Sequence, residues 1–373
     1  MDSIYLLLSP NCNLSCKYCF QHHSAVEIPG THYHAQLGVK ASIEIIARFA
    51  EFCAENNIKH VEFFGGEPLL YRDLFHAAVE TIAKRNPQIT IGIVTNGTMI
   101  DEGIMQLFER HRISVLLSLD GRQDRHDSMR GGFERIRVWF PRLSRLDEVM
   151  VAMQAAIIPE LSQNVQYVWR QGFTSIYLNM MENYGWYKEA DVCLFEAEYD
   201  ELVRAMLRGE GILACAMQIH EQLHHTSYSQ GCGITRLGLA CDWHGRLYPC
   251  HRAVELGTEF AIGDIFSGVN TDLDQKLRRR IHEEAFRSTS SKQHPLTSFC
   301  PVAIYQKHRN FEGEWSRQFC RMIEIKTKIV AKYFHEIRQF IAAADACDKG
   351  HNKLTRVADE MSEIQEELER VIR

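Results

Sequence analysis

Apolar, β-branched runs recur at about residues 3–8, 60–64, 89–95, 113–119, 149–157 and 174–180. Each is short and nearly continuous in apolar side chains, as in Ile4-Tyr5-Leu6-Leu7-Leu8, which reads as a buried strand. Longer amphipathic stretches separate the runs. In the one beginning at Ala41, Ile43, Ile46 and Phe49 stand at helical spacing. Strands alternating with helices predict an α/β fold with a parallel sheet. In such sheets chemistry collects at the C-terminal strand ends. The strand count alone also allows a doubly wound sheet.

The pattern changes further along. Leu237-Gly238-Leu239-Ala240-Cys241 and Arg246-Leu247-Tyr248 flank a turn at Asp242-Trp243-His244-Gly245, which predicts a β-hairpin. Beyond Cys320, Ile325, Ile329, Tyr333, Ile337, Phe340 and Ile341 keep helical spacing, and Gly350 suits a helix C-cap. Leu354, Val357, Met361, Ile364, Leu368 and Val371 then follow a heptad rhythm. An αα-hairpin folding back on its own domain and a helix that docks a dimer or partner both fit this tail.

Cysteines add chemistry to this frame. Cys12, Cys16 and Cys19 stand at Cys-x3-Cys-x2-Cys spacing in the loop expected after the first strand. Three thiolates without a fourth partner nearby suit an iron–sulfur cube with one iron free of protein ligands. Structural zinc prefers four ligands, commonly from two Cys-x2-Cys pairs. A disulfide framework does not suit a chain of 373 residues, which can build a core. With the first strand starting almost at once, no signal peptide is expected, and twelve cysteines then point to a reducing cytoplasm. No segment approaches a membrane span. A net charge of −6 gives no electrostatic case for nucleic acid.

The motif resembles that of the radical S-adenosylmethionine (SAM) enzymes, with Tyr18 at the usual aromatic position before the third cysteine. Gly65-Gly66-Glu67-Pro68 is similar to the family's SAM-amino segment. Thr95-Asn96-Gly97, Ser118-Leu119-Asp120-Gly121 and the segment from His126 to Gly131 resemble the segments that follow it, in the same order. The resemblance implies a partial, open (β/α)6 TIM-like barrel and a [4Fe–4S] cluster on Cys12, Cys16 and Cys19, whose fourth iron is chelated by SAM. It assigns Gly65, Gly66 and Glu67 to the SAM amino group and Arg130 to its carboxylate. Asn96 and Ser118 fall near the ribose or carboxylate. Glu67 and Arg130 are the residues on which SAM cleavage would depend most. An electron donor such as flavodoxin or ferredoxin is implied.

A second cysteine region follows. Cys232, then Gly245-Arg246-Leu247-Tyr248-Pro249-Cys250, resembles the opening of the SPASM or Twitch extension of these enzymes. The resemblance implies one auxiliary [4Fe–4S] cluster on Cys232, Cys250, Cys300 and Cys320, fewer ligands than a full extension carries; zinc there stays open. Cys241 reads as a core strand residue. Cys53, Cys193, Cys215 and Cys347 lie in helical stretches and read as core thiols. The pairs His22/His23, His32/His34 and His224/His225 lack a supporting metal motif and read as surface or substrate-loop residues.

The expected organisation is a SAM barrel at 1–210, an auxiliary-cluster region at 211–320 and a helical tail at 321–373. Enzymes with this extension mostly modify peptides or proteins. The first expectation is therefore maturation of a ribosomally made peptide by an oxidative crosslink or a related change. Dehydrogenation or epimerisation of a small molecule or peptide is an alternative. So is sulfatase maturation, although His251 replaces the acidic residue usual after the Gly-x4-Cys cysteine in that group. A non-catalytic iron–sulfur protein fits least, because an electron carrier needs no SAM site.

Overall fold

The computed structural model describes residues 2–19, 21, 39–181, 187–208, 238–287, 317–333, 335–337 and 339. Six strands appear where the apolar runs lie: β1 Ser3–Leu7, β2 His60–Phe64, β3 Thr90–Thr95, β4 Ser114–Ser118, β5 Val149–Gln154 and β6 Ile176–Asn179. Between and after them run α1 Ile43–Glu55, α2 Arg72–Arg85, α3 Glu102–His111, α4 Gln123–Met129, α5 Phe133–Arg137, α6 Phe140–Leu143, α7 Leu161–Arg170 and α8 Glu189–Leu207. Ser42 and Asp101 start α1 and α3 by accepting the backbone N–H three residues on, as N-caps do.

All six strands are parallel and hydrogen-bonded in chain order, β1 to β6. A doubly wound sheet would reverse its order at a switch point. Within β1–β6 none occurs, so these six strands have the order of the open (β/α)6 partial barrel rather than the doubly wound alternative. Side chains alternate along each strand. Val61 and Phe63 of β2 and Val115 and Leu117 of β4 are buried in the core, whereas Phe64, Leu116 and Ser118 face an interior cavity. This period of two lets the same strands build a core on one face and a site on the other.

The expected hairpin is present as β7 Gly238–Cys241 and β8 Arg246–Tyr248, antiparallel. It attaches in a way the local pattern does not reveal: β7 pairs in parallel with β1, Ser3 opposite Gly238. β9 Gly263–Asp264 and β10 Gly268–Val269 extend the same sheet to ten strands. Cys241 is fully buried, as expected of a core strand residue, and so is Cys53 on α1. Cys193 departs from expectation: it is exposed on α8, on a helix face directed away from the buried Val192 and Phe195. Among the described residues the remaining α-helices are α9 Thr271–Arg287 and α10 Arg317–Lys332, the latter packed on α8. Among the described residues no helix is long and apolar enough to cross a membrane. The histidine pairs, Cys215, Cys347 and the heptad segment lie outside the described residues.

Candidate active site

The site forms where loops leave the C-terminal strand ends. Gly65 and Gly66 follow β2 with φ of +82° and +40°, a region that favours residues without a Cβ. A Cβ on Gly66 would stand 2.0 Å from the Asn11 carbonyl oxygen. That closeness lets the Glu67 N–H donate to the Asn11 carbonyl at 2.8 Å and pins the cysteine loop over β2. On its other side, the Lys17 N–H donates to the Met129 carbonyl at 3.0 Å, which ties the loop to the end of α4.

Cys12, Cys16, Tyr18, Cys19, Gly65, Gly66, Glu67, Asn96, Ser118 and Arg130 all line one cavity of about 270 Å³. Every residue expected around the first cluster and SAM is thereby brought together. Among the described residues no three Cys, His, Asp or Glu side chains gather tightly enough to hold one metal ion. The three cysteines are joined by the cavity they share.

The surroundings of these thiols fit an iron–sulfur cluster. Burial pushes the Cys12 thiol up to about 12, and negative charge on Glu67, Cys16 and Cys19 adds to the shift. A cluster supplies the positive charge that such thiolates require. N–H donors aim at the sulfurs: Leu14 N stands 3.4 Å and Asn96 Nδ2 3.8 Å from Cys12 Sγ, and Arg130 Nη1 stands 4.0 Å from Cys16 Sγ. Donors of this kind tune cluster potentials.

Glu67 is buried, and its carboxylate accepts from Leu69 N at 3.0 Å, Thr95 Oγ1 at 2.7 Å and Asn96 N at 2.8 Å. Burial outweighs these bonds and lifts its carboxyl to about 6. Asn96 is held by the loops it joins. Its Nδ2 donates to Asn13 Oδ1 at 3.0 Å, and its Oδ1 accepts from Thr98 N and Thr98 Oγ1.

Arg130 is the C-cap of α4, and its side chain is 8% exposed against 4% for its partner Asp120. Its Nε donates to Asp120 Oδ2 at 2.8 Å, and its guanidinium lies 4.9 Å from the Tyr18 ring centre. Burial opposes its charge, but Asp120, Tyr18 and Cys16 raise its pKa, so Arg130 stays cationic. A surface ion pair would be worth little; this one faces the cavity. The Tyr18 hydroxyl also donates to Asp120.

Sequence reasoning missed Asp120 as the centre of this group, and it missed the far wall. Gln154, Tyr177 and Asn179 line the cavity from β5 and β6, Met180 and Met181 from the residues just after β6, and His251 and Arg252 enter from beyond β8. The strand period could have flagged Gln154, Tyr177 and Asn179, polar at inward positions. His251 had no such signal. It is wedged 4.6 Å from the Tyr5 ring and 4.5 Å from the Phe64 ring, and burial, with Arg252 nearby, lowers its pKa to about 3.

The second cysteine group is only partly visible. Cys250 is buried at the start of the short 3₁₀ helix His251–Leu256. Cys232 and Cys300 lie outside the described residues. The backbone of Cys320 is on α10, and its side chain is outside the described set.

Comparison with known proteins gives this geometry a class. Residues 6–150 match the Radical SAM superfamily model, so the chain carries a radical SAM domain. A probable GTP 3′,8-cyclase from Methanocella arvoryzae is 24% identical over 67% of this chain and 81% of its own length. A cysteine-type anaerobic sulfatase-maturating enzyme from Clostridium novyi is 32% identical, but the match spans 39% of this chain and 41% of that protein. Among solved structures, anSMEcpe with bound AdoMet has a TM-score of 0.67 at 18% identity, covering 93% of this chain and 100% of that one. Streptococcus suis SuiB bound to the precursor peptide SuiA has a TM-score of 0.61 at 15% identity, covering 84% and 74%. These structures share the fold.

Proposed function

We propose that the chain is a radical SAM enzyme that abstracts hydrogen from a peptide and matures it by an oxidative change. The observation that carries the reading is the one cavity shared by Cys12, Cys16, Cys19, Glu67 and Arg130, which continues to a far wall on β5 and β6. Cys12, Cys16 and Cys19 would hold a [4Fe–4S] cluster, Glu67 and the Gly65-Gly66 turn the amino group of SAM, and Arg130 its carboxylate. Ser118 and Asn96 border the same ligand, and Tyr18 supports Arg130 from below. A bound cluster would supply the electron that cleaves SAM to methionine and a 5′-deoxyadenosyl radical. The protein's share is to orient the ligand and keep water and competing hydrogen donors out. The buried Glu67 and Arg130 suit that share, because low local polarity strengthens their hold on ligand charges.

A peptide substrate is supported by the SuiB neighbour, solved with its precursor peptide. Cys232, Cys250, Cys300 and Cys320 would hold one auxiliary cluster in the region 211–320, between a barrel at 1–210 and a helical tail at 321–373. An electron donor of the flavodoxin or ferredoxin class and a cytoplasmic setting complete the proposal. A small-molecule substrate is the second reading, favoured by the match spanning 81% of a GTP 3′,8-cyclase. Co-expression with candidate precursor peptides separates the two. Peptide maturation is expected to remove about two hydrogens, because abstraction followed by one-electron oxidation takes two overall. Unchanged precursor masses with unchanged stereochemistry throughout would overturn the peptide reading and leave the small-molecule one, whereas an isomeric peptide would indicate epimerisation in place of oxidation.

A further inference from the structure

The Asp120 side chain does not itself line the cavity, yet it bonds two residues that do, Tyr18 and Arg130. Its Oδ1 accepts from Gln154 N at 2.9 Å, which fixes it to the end of β5. Its own N–H donates to His126 Nδ1 at 3.3 Å, which fixes it to α4. Its Oδ2 takes both the Tyr18 hydroxyl, from the cysteine loop, and Arg130 Nε at 2.8 Å. Asp120 therefore joins three segments that arrive separately in the chain, β5, α4 and the cysteine loop, and its carboxylate makes three of these four bonds. Arg130, so held, brings Nη1 to 4.0 Å from Cys16 Sγ while bordering the cavity.

We propose that Asp120 is the positioning residue that aims Arg130 at the carboxylate of the bound ligand and sets the charge Arg130 presents to Cys16. The proposal rests on the SAM-binding role given to Arg130 above. A guanidinium is planar, and a bond through Nε fixes the direction of that plane while leaving the terminal nitrogens to pair with a carboxylate. Without Asp120 the cation would be buried, less neutralised and free to turn. Charge and orientation then oppose each other. Extra uncompensated positive charge alone would tighten the hold on the ligand's carboxylate, whereas lost orientation would weaken it. The same pair acts with opposite signs on a cluster at Cys16. The anion disfavours the added electron and the cation favours it, at separations where buried charges couple strongly.

The test uses anaerobically reconstituted full-length protein, with SAM affinity from equilibrium dialysis and cluster midpoint potential from a redox titration without SAM. Asp120→Asn is expected to weaken SAM binding roughly tenfold or more, the loss of one oriented charge-assisted contact, and to raise the midpoint. Arg130→Gln is expected to weaken SAM binding and lower the midpoint. Unchanged or tighter SAM binding in Asp120→Asn, or midpoints moving the same way in both variants, would overturn the proposal. Should Asp120→Asn fail to hold iron, Tyr18→Phe carries the test. It removes one of the two groups on Asp120 Oδ2 and is expected to weaken SAM by a smaller factor, and unchanged affinity there would likewise overturn the proposal. Wild-type protein that takes up iron but binds no SAM would sink the ligand role of Arg130, and this inference with it.

Discussion

Gly66→Ala tests whether the loop after β2 sets the place of the cysteine loop. The added methyl meets backbone rather than a mobile side chain: the Asn11 carbonyl oxygen at 2.0 Å, its carbon at 2.6 Å and the Pro10 carbonyl carbon at 2.9 Å. Neither partner can turn aside, so the two loops must separate, and the hydrogen bond from Glu67 N to Asn11 O stretches with them. A positive φ of +40° adds about 1–2 kcal/mol for a residue with a Cβ. Overpacking against fixed atoms adds about 1–3 kcal/mol. The variant should therefore be about 2–5 kcal/mol less stable, from the sum of those terms. Gly131→Ala is the control, since its φ is +84° and nothing lies within 4 Å of its Cβ. It should lose only the conformational part, about 1–2 kcal/mol. Urea unfolding gives both stabilities, and iron per chain after anaerobic reconstitution reports on the cysteine loop. Gly66→Ala should lose most of its iron and Gly131→Ala should not. Equal stability and full iron in both variants would refute the claim that this contact positions the cysteines.

Glu67→Gln should flatten part of the pH dependence of stability. With a folded value of about 6 against 4.5 unfolded, the wild type binds more protons when folded, so its stability falls by about 2 kcal/mol as pH rises from about 4.5 through 6. Gln does not titrate, and its amide nitrogen would face the Asn96 N–H in place of Oε2, which costs about 1–3 kcal/mol at every pH. Unfolding in urea at several pH values measures the difference between the two proteins, and a constant difference would contradict the buried carboxyl. Reconstituted wild type should hold about eight irons, two cubes' worth, and the triple variant of Cys12, Cys16 and Cys19 to Ala about half of that. Only about four irons, all lost in that variant, would remove the auxiliary cluster. Cys250→Ala should abolish peptide modification while leaving SAM cleavage measurable; unaltered peptide modification would show that Cys250 holds no needed cluster.

The barrel strands were legible because a parallel sheet covered on both faces makes each strand a short apolar run, as at Ile4–Leu8 and Ile91–Val94. The first site was legible because its residues follow those runs directly, and strand ends are where such sheets do chemistry. Other features left no local trace. The pairing of β7 with β1 joins residues more than two hundred positions apart, and neither strand's own pattern names its partner. Asp120 stands in a recognisable segment, yet its bond to Tyr18 spans 102 positions and depends on the fold being complete. Cys193 was misread for a simpler reason: free cysteines are usually buried, and one residue on a helix carries no information about which face it occupies.

The central claim is that the Cys12, Cys16 and Cys19 site binds and cleaves SAM. It is tested most directly by incubating anaerobically reconstituted protein with SAM and dithionite and measuring 5′-deoxyadenosine. The account predicts slow formation without substrate, abolished in the triple cysteine variant and strongly reduced in Glu67→Ala. Protein with intact clusters that yields no 5′-deoxyadenosine with any reductant would contradict it.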